Sequence, residues 1–470
     1  MNDKTFLKNW VSVRLSDLFI VETGSTPKTN IKDFWNGNIK WITPKDLGRI
    51  KSNYIYDTER KITKLALQKN NLKVIPADSI ILSTRAPIGY IAILKDNMTF
   101  NQGCKGLVKK SNEINIKFFY YLLLTKVTEM NRLGSGSTFK EISKSKIENL
   151  KIPLPPLAEQ HRIVAKIEEL FSKLDAGVEA LKKAKEQIKR YRQAVLKYAF
   201  EGNLTEEWRK NNFSQESASE LLEKIKEERK KKLDKKYKEL PPVDTSELPE
   251  LPEGWAWVRL GEISDNIQYG YTAKAINKPI GPKMLRITDI QNNNVEWKNV
   301  PYCLIKPDEE RKYLLREGDL LFARTGATVG KSFLIKGKIP KSVFASYLIR
   351  IVLSENVFKE YVYNFFQSLE YWNQIVSEQL GTGQPNVNSQ ILSKIILPLP
   401  PLSEQHKIVE EIERRFSIAD EIEKVIDNSI KQAERLRQSI LKKAFEGKLV
   451  PQDPNDEPAE KLLKRMLNFE

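Results

Sequence analysis

The chain is written twice. Asn9-Trp10-Val11-Ser12-Val13-Arg14-Leu15 returns as Gly254-Trp255-Ala256-Trp257-Val258-Arg259-Leu260, 245 residues later. Pro153-Leu154-Pro155-Pro156-Leu157-Ala158-Glu159-Gln160-His161 returns as Pro398-Leu399-Pro400-Pro401-Leu402-Ser403-Glu404-Gln405-His406 at the same spacing of 245. The offset then carries Arg192-Gln193-Ala194-Val195-Leu196-Lys197 onto Arg437-Gln438-Ser439-Ile440-Leu441-Lys442, and Ala199-Phe200-Glu201-Gly202 onto Ala444-Phe445-Glu446-Gly447. Agreement at both ends of so long a period is the mark of tandem duplication, so the fold of one copy constrains the other. With 470 residues there is room for several separately packed units.

Each copy has two parts. The first mixes short β-branched and aromatic runs with turn signals, as in Ser79-Ile80-Ile81-Leu82-Ser83 and Asp319-Leu320-Leu321-Phe322-Ala323, and adds helical patterns over 115–132 and 357–379. That reads as an α/β or α+β globule. The expected division is a globule at 1–155, a helix at 156–204, a charged linker at 205–252, a second globule at 253–400, a second helix at 401–449 and a tail at 450–470.

The helical parts carry a heptad stripe. Apolar positions after Leu157 fall at Ile163, Ile167, Leu170, Leu174, Leu181, Ile188 and Val195, with Gly177, Ala184, Tyr191 and Tyr198 on the same seam. The second copy, from Leu402, gives Ile408, Ile412, Ala419, Ile422, Ile426, Ala433, Leu436 and Ile440, diluted by Arg415, Ser429 and Lys443. Steps of four and three describe a coiled-coil seam, and one stripe cannot bury itself alone. Two such helices in one chain can pair, and a linker long enough to run back along them sets them antiparallel. Pro155-Pro156 suits a helix start and Gly202 and Gly447 suit helix ends. Glu159 and Glu404 sit in first turns, where acidic groups favour the helix dipole. Together with Gln160, Phe200, Gln405 and Phe445 at the two ends, these positions are expected to build the coiled coil or to dock other subunits. The tail segment Pro458-Ala459-Glu460-Lys461-Leu462-Leu463 echoes Ser217-Ala218-Ser219-Glu220-Leu221-Leu222, so the tail reads as the start of another linker and the plan is nearly circular.

Charge bears on the partner. A net charge of +17 draws polyanions, which leaves nucleic acid, an anionic membrane surface and plain surface charge as readings. No apolar run reaches the length of a membrane-spanning helix, and the first residues lack the pattern of a signal peptide. The cytoplasm is the expected compartment, with Cys104 and Cys303 as buried free thiols rather than a disulfide. Two similar, unequal globules held apart by a rod form a calliper. A duplex contacted at two separated places suits it, with half-sites that differ in sequence.

The full length resembles the specificity subunit of Type I restriction–modification systems. The resemblance rests on the Leu-Pro-Pro-Leu-(Ala/Ser)-Glu-Gln-His entry, the Arg-Gln-(Ala/Ser)-(Val/Ile)-Leu-Lys…Ala-Phe-Glu-Gly exit and the Gly-Trp…Val-Arg-Leu start of the second globule. It implies two target recognition domains, each reading half of a split target on double-stranded DNA, and a rod that sets the spacing. It implies two methyltransferase subunits carrying S-adenosylmethionine for adenine N6 methylation, and two restriction subunits using ATP and Mg. It implies no cofactor, metal or catalytic centre in this chain. A modification-only complex without restriction subunits, and a coiled-coil scaffold without DNA specificity, are the competing readings.

Absences in the sequence agree with a non-catalytic chain. No Asn-Pro-Pro-Phe or Asp-Pro-Pro-Tyr type motif occurs. His161 and His406, the two histidines, occupy equivalent helix entries and read as local caps or packing groups. Gly326-Ala327-Thr328-Val329-Gly330-Lys331-Ser332 falls one residue short of a phosphate loop.

Candidate DNA contacts come from matched turns. Arg85 and Arg324, with Thr325, sit in similar segments, and arginine there suits guanine O6/N7 or phosphate, or simply solvent. Thr43, Lys45, Arg286 and Asp289 follow strand ends, with Thr43 and Asp289 also suited to capping turns. Two glycine loops offer Ser135, Ser137, Thr382, Gln384 and Asn386, as groove contacts or a bare hinge. Gln102 and Lys105, opposite Ser346 and Tyr347, complete the set. The Lys230-Lys231-Lys232 run reads as a solvated helix face.

Overall fold

The computed structural model describes residues 9–136, 140–212, 216–234, 237, 239–377 and 386–467. It forms two compact units, residues 1–182 with 427–470 and residues 183–426. Each unit therefore holds one globule and part of both long helices, Leu157–Phe200 and Leu402–Phe445. At 44 residues each helix spans about 66 Å. Gly202 (φ +77°) and Gly447 (φ +68°) take the left-handed conformation that ends them, donating their N–H to Ala199 O and Ala444 O at 3.2 Å.

Within each unit the two helices run antiparallel. In the first, Ile163 and Ile167 share a core with Leu441 and Ala444, while further along Arg437 pairs with Asp175 and covers the Phe171 ring at 4.8 Å. In the second, Val195 and Ala199 share a core with Ile408 and Ile412, while Arg192 bonds Asp420 at 2.5 Å and lies 5.1 Å over Phe416. The Arg–Asp–Phe arrangement is the same in both units, each member displaced by the period of the repeat.

The buried stripe departs from the expected seam. Tyr191, Tyr198, Ile422 and Leu436 are exposed, and Gly177 lies in the open. An α-helix drifts about 20° per heptad against a strict 3.5 repeat. Toward its C-terminal end the first helix buries Val195, Leu196, Ala199 and Phe200 against the globule of its unit, which turns Tyr198 outward. On the second helix the buried positions Ala419, Ile426 and Ala433 stand a full heptad apart, a single row that leaves Ile422 and Leu436 outside. Leu157, Leu170, Leu174, Leu181, Leu402 and Ile440 are half-buried and Ile188 is buried. Phe445 packs edge-on against Phe118 at 5.3 Å, and Phe200 against Tyr361 at 5.4 Å.

The repeated motifs form an anchor between globule and helix. Strand Val11–Arg14 pairs antiparallel with Lys151–Leu154, and Ala256–Arg259 with Ile396–Leu399, in the same register. Trp10 Nε1 donates to Glu159 Oε2 at 2.9 Å, and Trp255 Nε1 to Glu404 Oε2 at 2.8 Å. Gln160 Nε2 donates to Pro155 O at 3.0 Å while its Oε1 accepts from Asn115 N at 3.3 Å. Gln405 repeats both bonds, to Pro400 O at 2.9 Å and from Phe358 N at 2.9 Å. Both glutamines are wholly buried, so they clamp their own globule and offer nothing to another subunit. Glu159 and Glu404 likewise serve the tryptophans, a role beyond the helix dipole.

The first globule centres on a five-stranded sheet, in the order Phe19–Thr23, Cys104–Lys109, Ile80–Thr84, Ile88–Leu94 and Tyr54–Ile55. Strand Ile80–Thr84 is buried along its whole length because both faces are covered. Ile80 and Leu82 pack with Phe118, Phe119 and Leu122 of helix Ile116–Leu133, and Ile81 packs with Leu94 and Phe100 on the other face. The second globule has a four-stranded sheet, Ser264–Tyr269, Leu348–Leu353, Leu320–Ala323 and Ser332–Leu334. Its expected 357–379 helix is two, Lys359–Phe365 and Leu369–Ser377. The break falls where Ser368 Oγ accepts from Tyr371 N at 3.2 Å, letting the Tyr371 ring stack on Phe366 at 4.5 Å.

The circular plan is visible in the packing. Helix Ala218–Leu233 buries Leu221 and Ile225 in the core of the second unit, with Ala218 N donating to Gly254 O at 2.9 Å. The tail helix Ala459–Leu467 buries Leu462 and Met466 in the first, with Ala459 N donating to Asn9 O at 3.2 Å.

Candidate nucleic-acid interface

One end of each globule gathers most of the candidate residues, and backbone bonds hold their turns together. In the first, Asn101 N donates to Ile42 O at 2.9 Å and Thr84 N to Gly103 O at 2.8 Å. Ile142 N donates to Thr84 O at 3.1 Å, and Ser135 and Glu141 exchange both backbone bonds at 3.0 and 2.9 Å. The turns bearing Thr43, Arg85, Gln102 and Ser135 thus converge. In the second, Ala345 N donates to Leu285 O at 2.9 Å, Ser346 N to Tyr271 O at 3.0 Å, and Arg324 N to Tyr347 O at 3.1 Å. Val387 N donates to Arg324 O at 3.1 Å and Thr325 bridges to Asn386, so Arg286, Arg324, Thr325, Ser346, Tyr347 and Asn386 come together.

Close approach at this end needs glycine. A Cβ on Gly24 would meet Asn101 O at 2.1 Å, and one on Gly270 would meet Ala345 O at 2.2 Å. Both glycines carry the chain off the first strand of the sheet and under the turn that bears Gln102 or Ser346.

The ladders correct the matching of the two arginines. Ile80 faces Leu107 in the first sheet as Leu320 faces Ile351 in the second. Arg85 bridges to Glu141 as Thr325 bridges to Asn386. Arg85 is therefore the counterpart of Thr325, and Thr84 that of Arg324. A shift of one residue along a strand end turns a side chain to the opposite face.

The two ends consequently carry different cations. In the first, Lys105 is 4% exposed, with Nζ 3.4 Å from Gln102 O. Burial pulls its pKa down, partly offset by Glu141. Arg85 lies 3.8 Å from Glu141. In the second, the Arg324 guanidinium lies 4.6 Å over the Tyr269 ring, and Tyr269 Oη accepts from Ser389 N at 3.0 Å. Thr23, opposite Lys105, and Tyr269, opposite Ile349, occupy the same place in the two sheets. Sequence reasoning missed Glu141, Tyr269 and Ser389, because nothing in their spacing signals the loops that fold over the sheet end.

Several candidates are already committed. Thr43 caps helix Pro44–Arg49: its Oγ1 donates to Asp46 Oδ2 at 2.6 Å and accepts from Asp46 N at 3.3 Å. Asp289 holds Arg286 through its backbone N at 2.9 Å and its guanidinium at 3.0 and 2.7 Å. Lys45 pairs with Glu59 at 3.0 Å on an exposed face. Gln102 Oε1 meets Thr26 Oγ1. Ser137, Thr382 and Gln384 lie outside the described residues.

Other signals resolve into structure. His161 Nδ1 lies 3.0 Å from Asn115 Nδ2, and His406 stacks on Phe358 at 3.8 Å. Gly326–Thr328 forms a short helical turn followed by strand Ser332–Leu334, whereas a phosphate loop opens a helix. Lys232 pairs with Asp265 at 2.8 Å. Cys104 and Cys303 are buried free thiols. Among the described residues no group of three or more His, Cys, Asp or Glu could hold a metal ion, and no helix is long and apolar enough to cross a membrane.

Comparison with known proteins accounts for both copies. The Type I restriction modification DNA specificity domain matches residues 7–190 and 252–432. The chain is 28% identical over 466 residues to the Type I restriction enzyme MjaIX specificity subunit of Methanocaldococcus jannaschii, covering 94% of each chain. It is 26% identical over 431 residues to the EcoKI specificity subunit of Escherichia coli, covering 88% of this chain and 85% of that one. The fold is similar to that of the HsdS subunit from Thermoanaerobacter tengcongensis, with a TM-score of 0.54 at 20% identity over 94% of this chain and 98% of that one. It is also similar to a chain from work on complex assembly and conformational transition of the type I R-M system, with a TM-score of 0.67 at 20% identity over 95% and 100%.

Proposed function

The chain belongs to the Type I restriction modification DNA specificity family, and from that premise we propose how its two copies divide the reading of one target. It serves as the specificity subunit of a Type I restriction–modification complex, a non-catalytic chain that reads DNA through tandem recognition domains joined by a coiled coil. The domain at 1–155 reads one half of an asymmetric two-part target on double-stranded DNA, and the domain at 253–400 reads the other. One observation carries this reading. The same loops converge on the same sheet end in both copies, yet one carries Arg85 beside Glu141 with Lys105 buried beneath, and the other Arg324 against Tyr269. A constant frame with different contact chemistry suits two different half-sites.

The helices set the half-site spacing and dock two methyltransferase subunits, which supply S-adenosylmethionine and methylate adenine at N6. Ile418, Ile422 and Val425 are 52%, 48% and 61% exposed along one side of the helix, and they form part of that docking face. Two restriction subunits bring ATP and Mg, and the assembly works in the cytoplasm.

Exchange of residues 1–155 for the corresponding domain of a relative tests the division. Methylated positions in cells carrying the chimera should show one altered half-site, with the other half and the spacer unchanged. Alteration of both halves refutes one domain per half-site.

A further inference from the structure

We infer that Arg324 reads a guanine in the half-site of the second domain, and that Tyr269, fixed by Ser389, is the residue that positions it. The inference rests on the reading that this domain contacts DNA, and it names which chemistry the contact uses.

The backbone of Arg324 is pinned on both sides, its N–H on Tyr347 O at 3.1 Å and its C=O on Val387 N at 3.1 Å. Its guanidinium carbon stands 4.6 Å from the Tyr269 ring centroid, within cation–π reach. The ring is itself held, since Tyr269 Oη accepts from Ser389 N at 3.0 Å and lies 3.3 Å from Ser389 Oγ. Nε is buried and has no hydrogen-bond partner among the described residues, so the outward end of the fork, its two terminal nitrogens, is the part available.

Two other arginines of the domain are differently employed. Arg286 spends its fork on Asp289, and Arg350 on Lys312 O and Leu314 O at 2.9 and 2.7 Å with Asp319 at 3.4 Å. No described carboxylate pairs with Arg324. A planar fork set against an aromatic ring, with no described partner on its terminal nitrogens, is matched to two acceptors side by side. Guanine O6/N7 and a phosphate both offer such a pair. A phosphate contact gains little from an arginine fixed at its backbone and set against a ring, whereas a base edge must be met at one angle. The immobilisation favours the base.

The test uses the full chain assembled with its methyltransferase subunits and a library of duplexes randomised across the second half-site. Arg324→Lys keeps the charge and loses the fork; Arg324→Gln loses the charge; Tyr269→Phe keeps the ring and loses both Ser389 bonds. Wild type should prefer guanine at one position of that half-site. Arg324→Lys should lower the preference by about 5- to 150-fold with the salt dependence of binding unchanged. Tyr269→Phe should lower it partially, with Tm and affinity for unrelated DNA unchanged, which a merely structural tyrosine would not do. A loss spread evenly over all sequences, with the salt slope for Arg324→Gln reduced by about one, marks a phosphate contact and overturns the inference. Unchanged preference in all three variants overturns it too. Exchange of the whole domain separates the two levels. If the exchange moves the half-site and the variants do not, the inference fails alone; if neither moves it, the assignment of the domain fails as well.

Discussion

The two anchor glutamates occupy equivalent positions and should respond unequally to the same substitution. Glu404 takes three donors on two oxygens: Thr205 Oγ1 at 2.7 Å and Arg209 Nε at 2.9 Å on Oε1, and Trp255 Nε1 at 2.8 Å on Oε2. Its side chain is 3% exposed and that of Arg209 23%. Glutamine has one acceptor oxygen and one NH2, so in either orientation at least one buried donor faces another donor. Loss of a charged bond costs about 1.5–3 kcal/mol, and an unsatisfied buried donor about 1–3 kcal/mol. With overlap between the two, Glu404→Gln should destabilise by about 3 kcal/mol, or roughly 6–12 °C in Tm for a unit of this size.

Glu159 has a different balance. Among the described residues Trp10 Nε1 donates to its Oε2 at 2.9 Å, Gln452 adds a weaker side-chain interaction, and Arg162 is drawn to Asp456 at 2.5 Å. Burial raises its pKa above the ordinary 4.5. A carboxyl with a raised folded-state pKa binds its proton more tightly in the folded protein. Its contribution to stability is present at acid pH and is lost as pH rises from the unfolded-state value through the folded one. At pH 7 the ionised form therefore carries a penalty, which Glu159→Gln removes while keeping the bond from Trp10. That variant should lie within about 0.5 kcal/mol of wild type or above it, and the loss of stability that this group causes as pH rises above the ordinary 4.5 should vanish. Thermal unfolding of the full chain gives the overall cost, and hydrogen exchange at the Trp10 and Trp255 indoles assigns it to one unit. Equal losses in the two variants, or a larger loss for Glu159→Gln, would refute the reasoning.

Gly270→Ala and Gly24→Ala should each cost more than about 2 kcal/mol in urea unfolding, because the new methyl meets a backbone oxygen fixed in its own turn, Ala345 O accepting from Leu348 N at 2.9 Å and Asn101 O from Cys104 N at 3.0 Å. Ile418→Glu combined with Ile422→Glu should leave Tm within a degree or two and abolish co-purification with the methyltransferase subunit; retained binding would remove this stripe from the docking face.

The architecture was legible because duplication reports constraint. The Trp, Glu and Gln residues of the repeated motifs return unchanged since each copy must seat its own strand pair against its own helix, through bonds of nearly equal length. The tail echo was legible for the same reason, as Leu462 and Met466 fill places equivalent to Leu221 and Ile225. The seam was legible only in part. Heptad counting marks every apolar position as inward, but Tyr198 and Ile422 show that the facing surface decides, and part of that surface is the globule.

The candidate site resisted for a more specific reason. Alignment by resemblance sets Arg85 against Arg324, since both are arginines in similar turns. The ladder sets Arg85 against Thr325, because register in a sheet follows the hydrogen bonds and the core, not the identity of the residue beyond the strand end. The same freedom is what a specificity domain requires. Residues inside the ladder are tied to both faces of a buried sheet, and a change there is paid in packing. Residues one step beyond it answer only to the loops that cross the end. An arginine can therefore move by one position, or a lysine take its place from the next strand, while the frame that presents it stays fixed. Divergence at that end is what the proposed division of one target between two copies of one fold requires.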